Sequence, residues 1–492
     1  MTASIASLGS RGDVRRVFGP AVLAGVVLAA AAAGGSVVMG YLAATGLWVF
    51  VAGLALAVVL CVLVARSPWR AVLLWVLVTP LAATTHGTGV RAIYWLVHRG
   101  LPLVAVAALV VGPWFAPPRR VLPRLGLPEL LMAAYVAVTS ASVLYTAPNI
   151  VGRTIVLYDR VVVPMCLYLV VRLLRPGDRE LVRLLGAVIV VLVGQSVIGM
   201  VSWIGPAVLR PEWLGKVGQR TTGSLQAVDV FGTTMIFCGL YLFHVGVRNA
   251  RARGERILMV ALVLLSVLMI FMSFSRATWA AASLVVLVLA YRFRRYLQRI
   301  VLVAAIGLFA VAATGILDSQ WQYAQYRFES QQSEASALSR LPVYLAAFRM
   351  FEAKPLTGFG YENFDRFDRP FQGRVGDLVY PDKNHASHSV YLTLLAEQGL
   401  VGFVLYLAPA AWLLAASIAR RRRLPSGGIR SRDLVLVLWL VVLAHVVVNN
   451  FSRMHLPFGL GMWWLTLGLI ASIIDAPGTE APDPLVSQEV HR

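Results

Sequence analysis

The chain has 492 residues, of which 59% are hydrophobic and only 14% charged, with a mean hydropathy of +0.75. Soluble domains are about half apolar and about a quarter charged, so a single water-soluble core is excluded and lipid is the expected solvent. The formal charge of +21 invites a nucleic-acid reading, but the arginines stand in short runs between apolar stretches (Arg248 to Arg256, Arg292 to Arg299, Arg420 to Arg432), the pattern of cytoplasmic membrane loops.

Apolar stretches long enough to span, about 20 residues each, fall near 17–41, 46–66, 70–85, 101–116, 128–146, 154–174 and 182–205. Others follow near 229–247, 256–274, 277–292, 298–317, 393–419, 433–450 and 456–475. The third and fourth are short enough to be re-entrant, which gives 12 to 14 transmembrane helices. Arg11, Arg15 and Arg16 precede the first stretch, which is longer than the core of a cleavable signal and is read as a first helix with its N-terminus inside. Arginine-rich connections at 67–70, 117–124, 173–183, 248–256, 292–299 and 420–432 then face the cytoplasm. The intervening connections face outward, and the alternation holds throughout.

The expected division is a cytoplasmic N-terminus (1–16), an N-terminal transmembrane bundle (17–317), a large extracytoplasmic loop (318–392), C-terminal transmembrane helices (393–475) and a disordered cytoplasmic tail (476–492). The loop is the one long polar insertion, and long loops are often functional. Amphipathic helical patterning runs through it from Leu338 to Phe351, followed by a turn-forming stretch from Lys354 to Gly360. Cys61, Cys166 and Cys238 lie in apolar runs without metal spacing, and no Walker A, GxGxxG, HExxH or GxSxG pattern is present. No cofactor or metal is expected.

Several residues could carry chemistry. His388, in Asn384-His385-Ala-Ser-His388-Ser389, falls where the long loop re-enters the membrane, and an imidazole there can accept a proton near neutral pH. Gly399 and Gly402 would let a neighbouring helix approach closely. The plain alternative is an interfacial histidine with structural glycines. Arg276 stands at the tip of a tight outward turn, Ser273-Phe-Ser275-Arg276, where the alternation disfavours arginine. An anionic group such as phosphate would explain it through bidentate bonds; interfacial snorkelling would as well. Arg220, in Arg220-Thr-Thr-Gly223, lies on the same face and could cradle an anion or merely be solvated. Arg160 lies inside the sixth span beside Asp159, which cannot share its helix face, so another partner is required, in a site or in a structural ion pair. Arg340 and Arg349, on the amphipathic loop helix, could line an outer cleft. Two cations and one titratable base on one membrane face suit a phosphate-bearing lipid substrate.

These motifs together resemble the O-antigen ligase and polymerase superfamily of bacterial membrane glycosyltransferases. His388-Ser389, nine residues, Gly399, two residues and Gly402 match that family's histidine signature. Ser275-Arg276 is similar to its Ser-Arg motif, and Arg220-Thr-Thr-Gly223 to its Arg-x-x-Gly segment, although no asparagine closely follows Ser224. Pro355-Leu-Thr-Gly358-Phe-Gly360-Tyr-Glu-Asn363-Phe364 is similar to its Pro-x-x-Gly-x-Gly-x-x-x-Phe element. The resemblance covers about 200 to 420. It implies an all-α, GT-C-like polytopic protein of the bacterial cytoplasmic membrane with its active site on the extracytoplasmic face. It implies transfer of a glycan from a polyprenyl diphosphate-linked donor to a glycan or lipid acceptor, with neither metal nor nucleotide. His388 would be the base, Arg276 and Arg220 would bind the diphosphate, and Arg160, Arg340, Arg349 and Ser389 would be substrate-binding candidates. Partners are membrane lipids and these substrates, with no nucleic acid. A ligase is favoured over a polymerase of the same superfamily; a multi-span transporter or flippase, or a non-catalytic assembly protein of the same fold, are the other readings.

Overall fold

The structure, a computed structural model, describes residues 48–81, 91–115, 123–204, 215–217, 220–312, 322, 325, 338, 340–373, 387–452 and 456–475. The expected span near 17–41, the 1–16 N-terminus, the 476–492 tail, and Asn384 and His385 lie outside these residues. Among those described, the chain is helical apart from one two-stranded ribbon, β1 (Lys216–Val217) against β2 (Arg220–Thr221).

The helices are α1 (Trp48–Arg66), α2 (Trp69–Val78), α3 (Ile93–Val111), α4 (Leu127–Thr146), α5 (Ile150–Leu174), α6 (Asp178–Ile204) and α7 (Val228–Val247). They continue with α8 (Arg253–Met272), α9 (Arg276–Ala312), α10 (Leu341–Ala353), α11 (Val390–Arg420), α12 (Arg432–Asn449) and α13 (Pro457–Ile474). Among the described residues, ten helices are long and apolar enough to cross a membrane, and two shorter apolar ones, in α1 and from Trp69 to Leu81, precede them. The expected fourth span gains length from a preceding segment, Arg91–Gly100, so its helix is long enough to cross. The expected span 277–292 and the described part of 298–317, as far as Ala312, are two helices meeting at Phe293, where the backbone leaves helical geometry.

Uniformly apolar helices bury all round only at the centre of a bundle. α7 and α13 do so, with 94% and 89% of their spanning windows buried, whereas α8 and the first half of α9 bury about a third and remain open to lipid. α13 packs along α5, with Tyr168 edge-on to Trp464, and α7 packs on both α8 and α12.

Charge fixes which helix ends are neighbours. At one end Asp433, at the start of α12, accepts from Arg248 beyond α7 (3.0 Å) and from Arg292 of α9 (2.8 Å). At that same arginine-rich end Arg172 of α5 pairs with Glu129 of α4 (3.2 Å), and Arg172 and Arg420 of α11 both pair with Asp475. In a low-dielectric surround a lone charge is costly, so each of these carboxylates holds its helices in register. The starts of α5, α7, α9, α11 and α13 therefore gather at the opposite end with the ends of α4 and α12. This is the alternation the arginine runs predicted.

The turn from Lys354 to Gly360 enters the bundle at that opposite end. α11 breaks at Gly399, which adopts φ +62°. In an unbroken helix Leu400 N–H would donate to Ala396 and Val401 N–H to Glu397. Instead Ala396 O accepts from Phe359 N–H (3.0 Å) and Glu397 O from Gly360 N–H (2.6 Å), while Leu400 and Val401 donate to Pro355 O (2.7 Å) and Leu356 O (3.2 Å). Two lost helix bonds become four loop–helix bonds, which satisfies backbone that lipid could not. Gly399 thus admits the large loop, not a neighbouring helix as its spacing had suggested. Gly402 makes room for the Gln398 side chain, which bonds Thr139 (2.9 Å) and Tyr135 (3.1 Å) of α4.

Candidate active site

His388 lies immediately before α11 with φ +52°, a left-handed conformation that costs a non-glycine residue free energy. Its neighbours hold it there. Ser389 caps α11 by accepting from Leu392 N–H (3.3 Å), and Ser387 Oγ donates to Ser389 O (2.7 Å) while pairing with the Thr393 hydroxyl. Both serines are buried; the half-buried histidine stands between them. Ser387-His388-Ser389 is therefore a bend whose serines lock the backbone that carries the imidazole.

Arg276 opens α9 after an equally tight bend. Phe274, fully buried, takes φ +45°, and Ser273 Oγ donates to Ile270 O (2.7 Å). Ser275 Oγ donates to Asp229 Oδ1 (2.8 Å) at the first turn of α7, so the Ser-Arg turn is tied to the helix that follows Arg220. Arg220 lies on β2, which contacts α7 and α8. Its ribbon is fixed to α6: Thr221 accepts from Trp203 Nε1 (2.9 Å), and Gln195 brackets Ser224 by two bonds of 2.7 and 2.8 Å. Gly223, φ +53°, leaves the space that Gln195 fills. Arg220 and Arg276 therefore flank the start of α7.

His388 shares their level. α9 and α12 are antiparallel neighbours pinned at Arg292–Asp433. Arg276 and Asn449 lie equally far from that pin, about 24 Å of helix, and Tyr391, three residues beyond His388, lies against Asn449. Arg340 Nη1 donates to Phe451 O (3.1 Å), just past the same helix end.

The remaining candidates attach to the loop. The partner Arg160 required is Glu362, which also pairs with Arg153 (3.4 Å). Asp159 pairs instead with Arg99 through two bonds of 2.6 Å. Arg349 is exposed and donates to Phe371 O (3.4 Å) within the loop itself.

Three carboxylates went unremarked in the sequence. Asp229 anchors Ser275. Glu362, at φ +58°, joins two arginines of α5 to the loop. Buried Glu397 accepts from Glu362 N–H (2.8 Å) and Phe364 N–H (3.0 Å). The signal for the last two was their place inside motifs already singled out, between Gly360 and Phe364 and between His388 and Gly399. Among the described residues no three His, Cys, Asp or Glu side chains are grouped to share a metal ion.

Residues 261–407 match the family model described as O-antigen ligase. That stretch runs from within α8 through the Arg276 turn, the loop and His388 to beyond Gly402; Arg160 and Arg220 precede it. The match supports the O-antigen ligase and polymerase superfamily that the motifs resembled. No curated protein matches the chain.

Proposed function

We propose that this membrane protein is an O-antigen ligase-like glycosyltransferase acting on the extracytoplasmic face of a bacterial cytoplasmic membrane. The observation that carries the reading is the gathering of two strained or tightly tied turns, at His388 and Ser275-Arg276, with the Arg220 ribbon at the loop-bearing end of the bundle.

The donor is a glycan on a polyprenyl diphosphate. His388 takes the proton of an acceptor hydroxyl as that oxygen forms its bond to the anomeric carbon. The bond from that carbon to the diphosphate oxygen breaks, and the electron pair leaves with the diphosphate. Arg220 and Arg276 stabilise this growing negative charge, the electrostatic work that usually contributes most to such a step. Arg160 and Arg340 set the loop, and Ser389 the helix start, around the substrates. A polysaccharide polymerase of the same superfamily would use the same chemistry with a growing glycan as acceptor; ligation is favoured by the full match of His388 to Gly402.

The test is a deletion strain carrying Arg276→Ala, with membrane level verified and surface glycan resolved on gels. Loss of one such charge-stabilising group costs about 10² to 10³ in rate, so glycan attachment should fall to near nothing. Arg276→Lys should recover little, because an ammonium cannot form the bidentate bond. Unattached polymer marks a lost ligase and single repeat units on the acceptor mark a lost polymerase. Normal glycan with Arg276→Ala would remove the arginine from the chemistry.

A further inference from the structure

A trough of about 480 Å³ runs between α8 and α9 on the lipid-facing side of the bundle, walled by Ile270, Phe271, Trp279, Ser283, Val286 and Ala290 among others. Its wall on α9 follows helical spacing: Trp279, Ser283, Val286 and Ala290 repeat every three or four residues on one face. One step back along that face is Arg276. The trough therefore has a cation at the head of its stripe and carbon along its length. Trp279 turns its polar edge inward, donating from Nε1 to Ile270 O (3.0 Å) and Phe271 O (3.2 Å), and stacks on Phe271 with ring centres 5.6 Å apart. What it leaves for a ligand is apolar ring.

We infer that this trough holds the isoprenoid chain of the diphosphate-linked donor, with the diphosphate at its Arg276 end. The inference rests on the reading of the substrate proposed above. Charge and shape select the occupant together. An anionic head meets the guanidinium, and the single furrow between two helices accepts one chain, whereas a diacyl lipid brings two. The chain comes to the trough from lipid and not from water, so what it gains there is close packing along the two helices, which anchors the donor so that its diphosphate is presented at the turn.

The experiment uses the full chain in phosphatidylcholine nanodiscs, titrated with a long-chain polyprenyl diphosphate and with isopentenyl diphosphate, read by native mass spectrometry. Ser283→Trp and Val286→Trp, at exposed positions, fill the trough without disturbing buried packing. They should weaken the long-chain ligand about tenfold or more, the effect of overfilling a packed site, and leave the short one unchanged. Leu284→Trp, lipid-facing but outside the trough, should change neither. Equal long-chain affinity in the filled variants and wild type overturns the inference while the donor reading stands. So does displacement of the long chain by phosphatidylglycerol at equal concentration, since the trough would then hold ordinary lipid. If wild type binds neither diphosphate, the substrate reading falls and the trough's occupant with it.

Discussion

Purified His388→Ala should transfer glycan about 10² to 10⁴ times more slowly than wild type, the contribution a positioned general base makes. The loss should fall on turnover and leave donor KM nearly unchanged, because the base acts on the acceptor's proton and not on the diphosphate. His388→Gln should be as poor: it keeps the polar bulk between Ser387 and Ser389 without a ring nitrogen able to take the acceptor's proton. A rate that stays within a few-fold of wild type in both variants, at equal folded protein, would reduce His388 to a strained turn residue. The left-handed backbone argues the other way. Such conformations cost of order 1–3 kcal/mol, and here Ser387, Ser389 and Thr393 spend four hydrogen bonds holding one.

The loop clamp sets the second large effect. A Cβ on Gly358 would lie 2.3 Å from the carbonyl carbon of Glu397, and one on Gly399 would lie 2.4 Å from that of Leu356, in each case with φ near +60°. Backbone cannot swing aside as a side chain can. Strain of about 1–3 kcal/mol adds to overpacking of about 1–3 kcal/mol, so Gly358→Ala and Gly399→Ala should each detach the loop from α11. Both should lower the thermal midpoint in detergent and expose the 354–373 segment to protease. Transfer should fall as well, since His388 is held by the start of α11. Gly186→Ala, on α6 with nothing within 4 Å of the added carbon, is the control and should behave as wild type. A Gly358→Ala protein as stable and protease-resistant as that control would show that the four interleaved bonds contribute little.

The membrane architecture was legible because each span is a continuous apolar run and each arginine cluster marks one end; these signals are local. The described spans lie where hydropathy put them except Ile93–Val111, which begins upstream of the stretch near 101–116, and the ion pairs at Asp433 and Asp475 join the ends that the arginines had assigned to one side. The candidate site was legible only as separate motifs. Arg160 announced a missing partner, yet nothing local named Glu362, 202 residues away. Gly399 read as a helix-packing glycine because its spacing with Gly402 has that form, whereas its role is to open the ladder for residues 355–360. Arg349 carried an amphipathic pattern that did not announce its contact with Phe371 O. In each case the deciding contact is long-range, so periodicity could mark the residue and not its partner.

The central claim is that the protein breaks the bond between a glycan and its polyprenyl diphosphate. The direct measurement places purified protein in liposomes with a labelled polyprenyl diphosphate-linked glycan and an acceptor, then follows the label between carrier and acceptor. The account predicts label on the acceptor and free polyprenyl diphosphate in equal amount, both abolished by His388→Ala. Label that stays on its carrier and only changes leaflet would contradict it and identify a flippase.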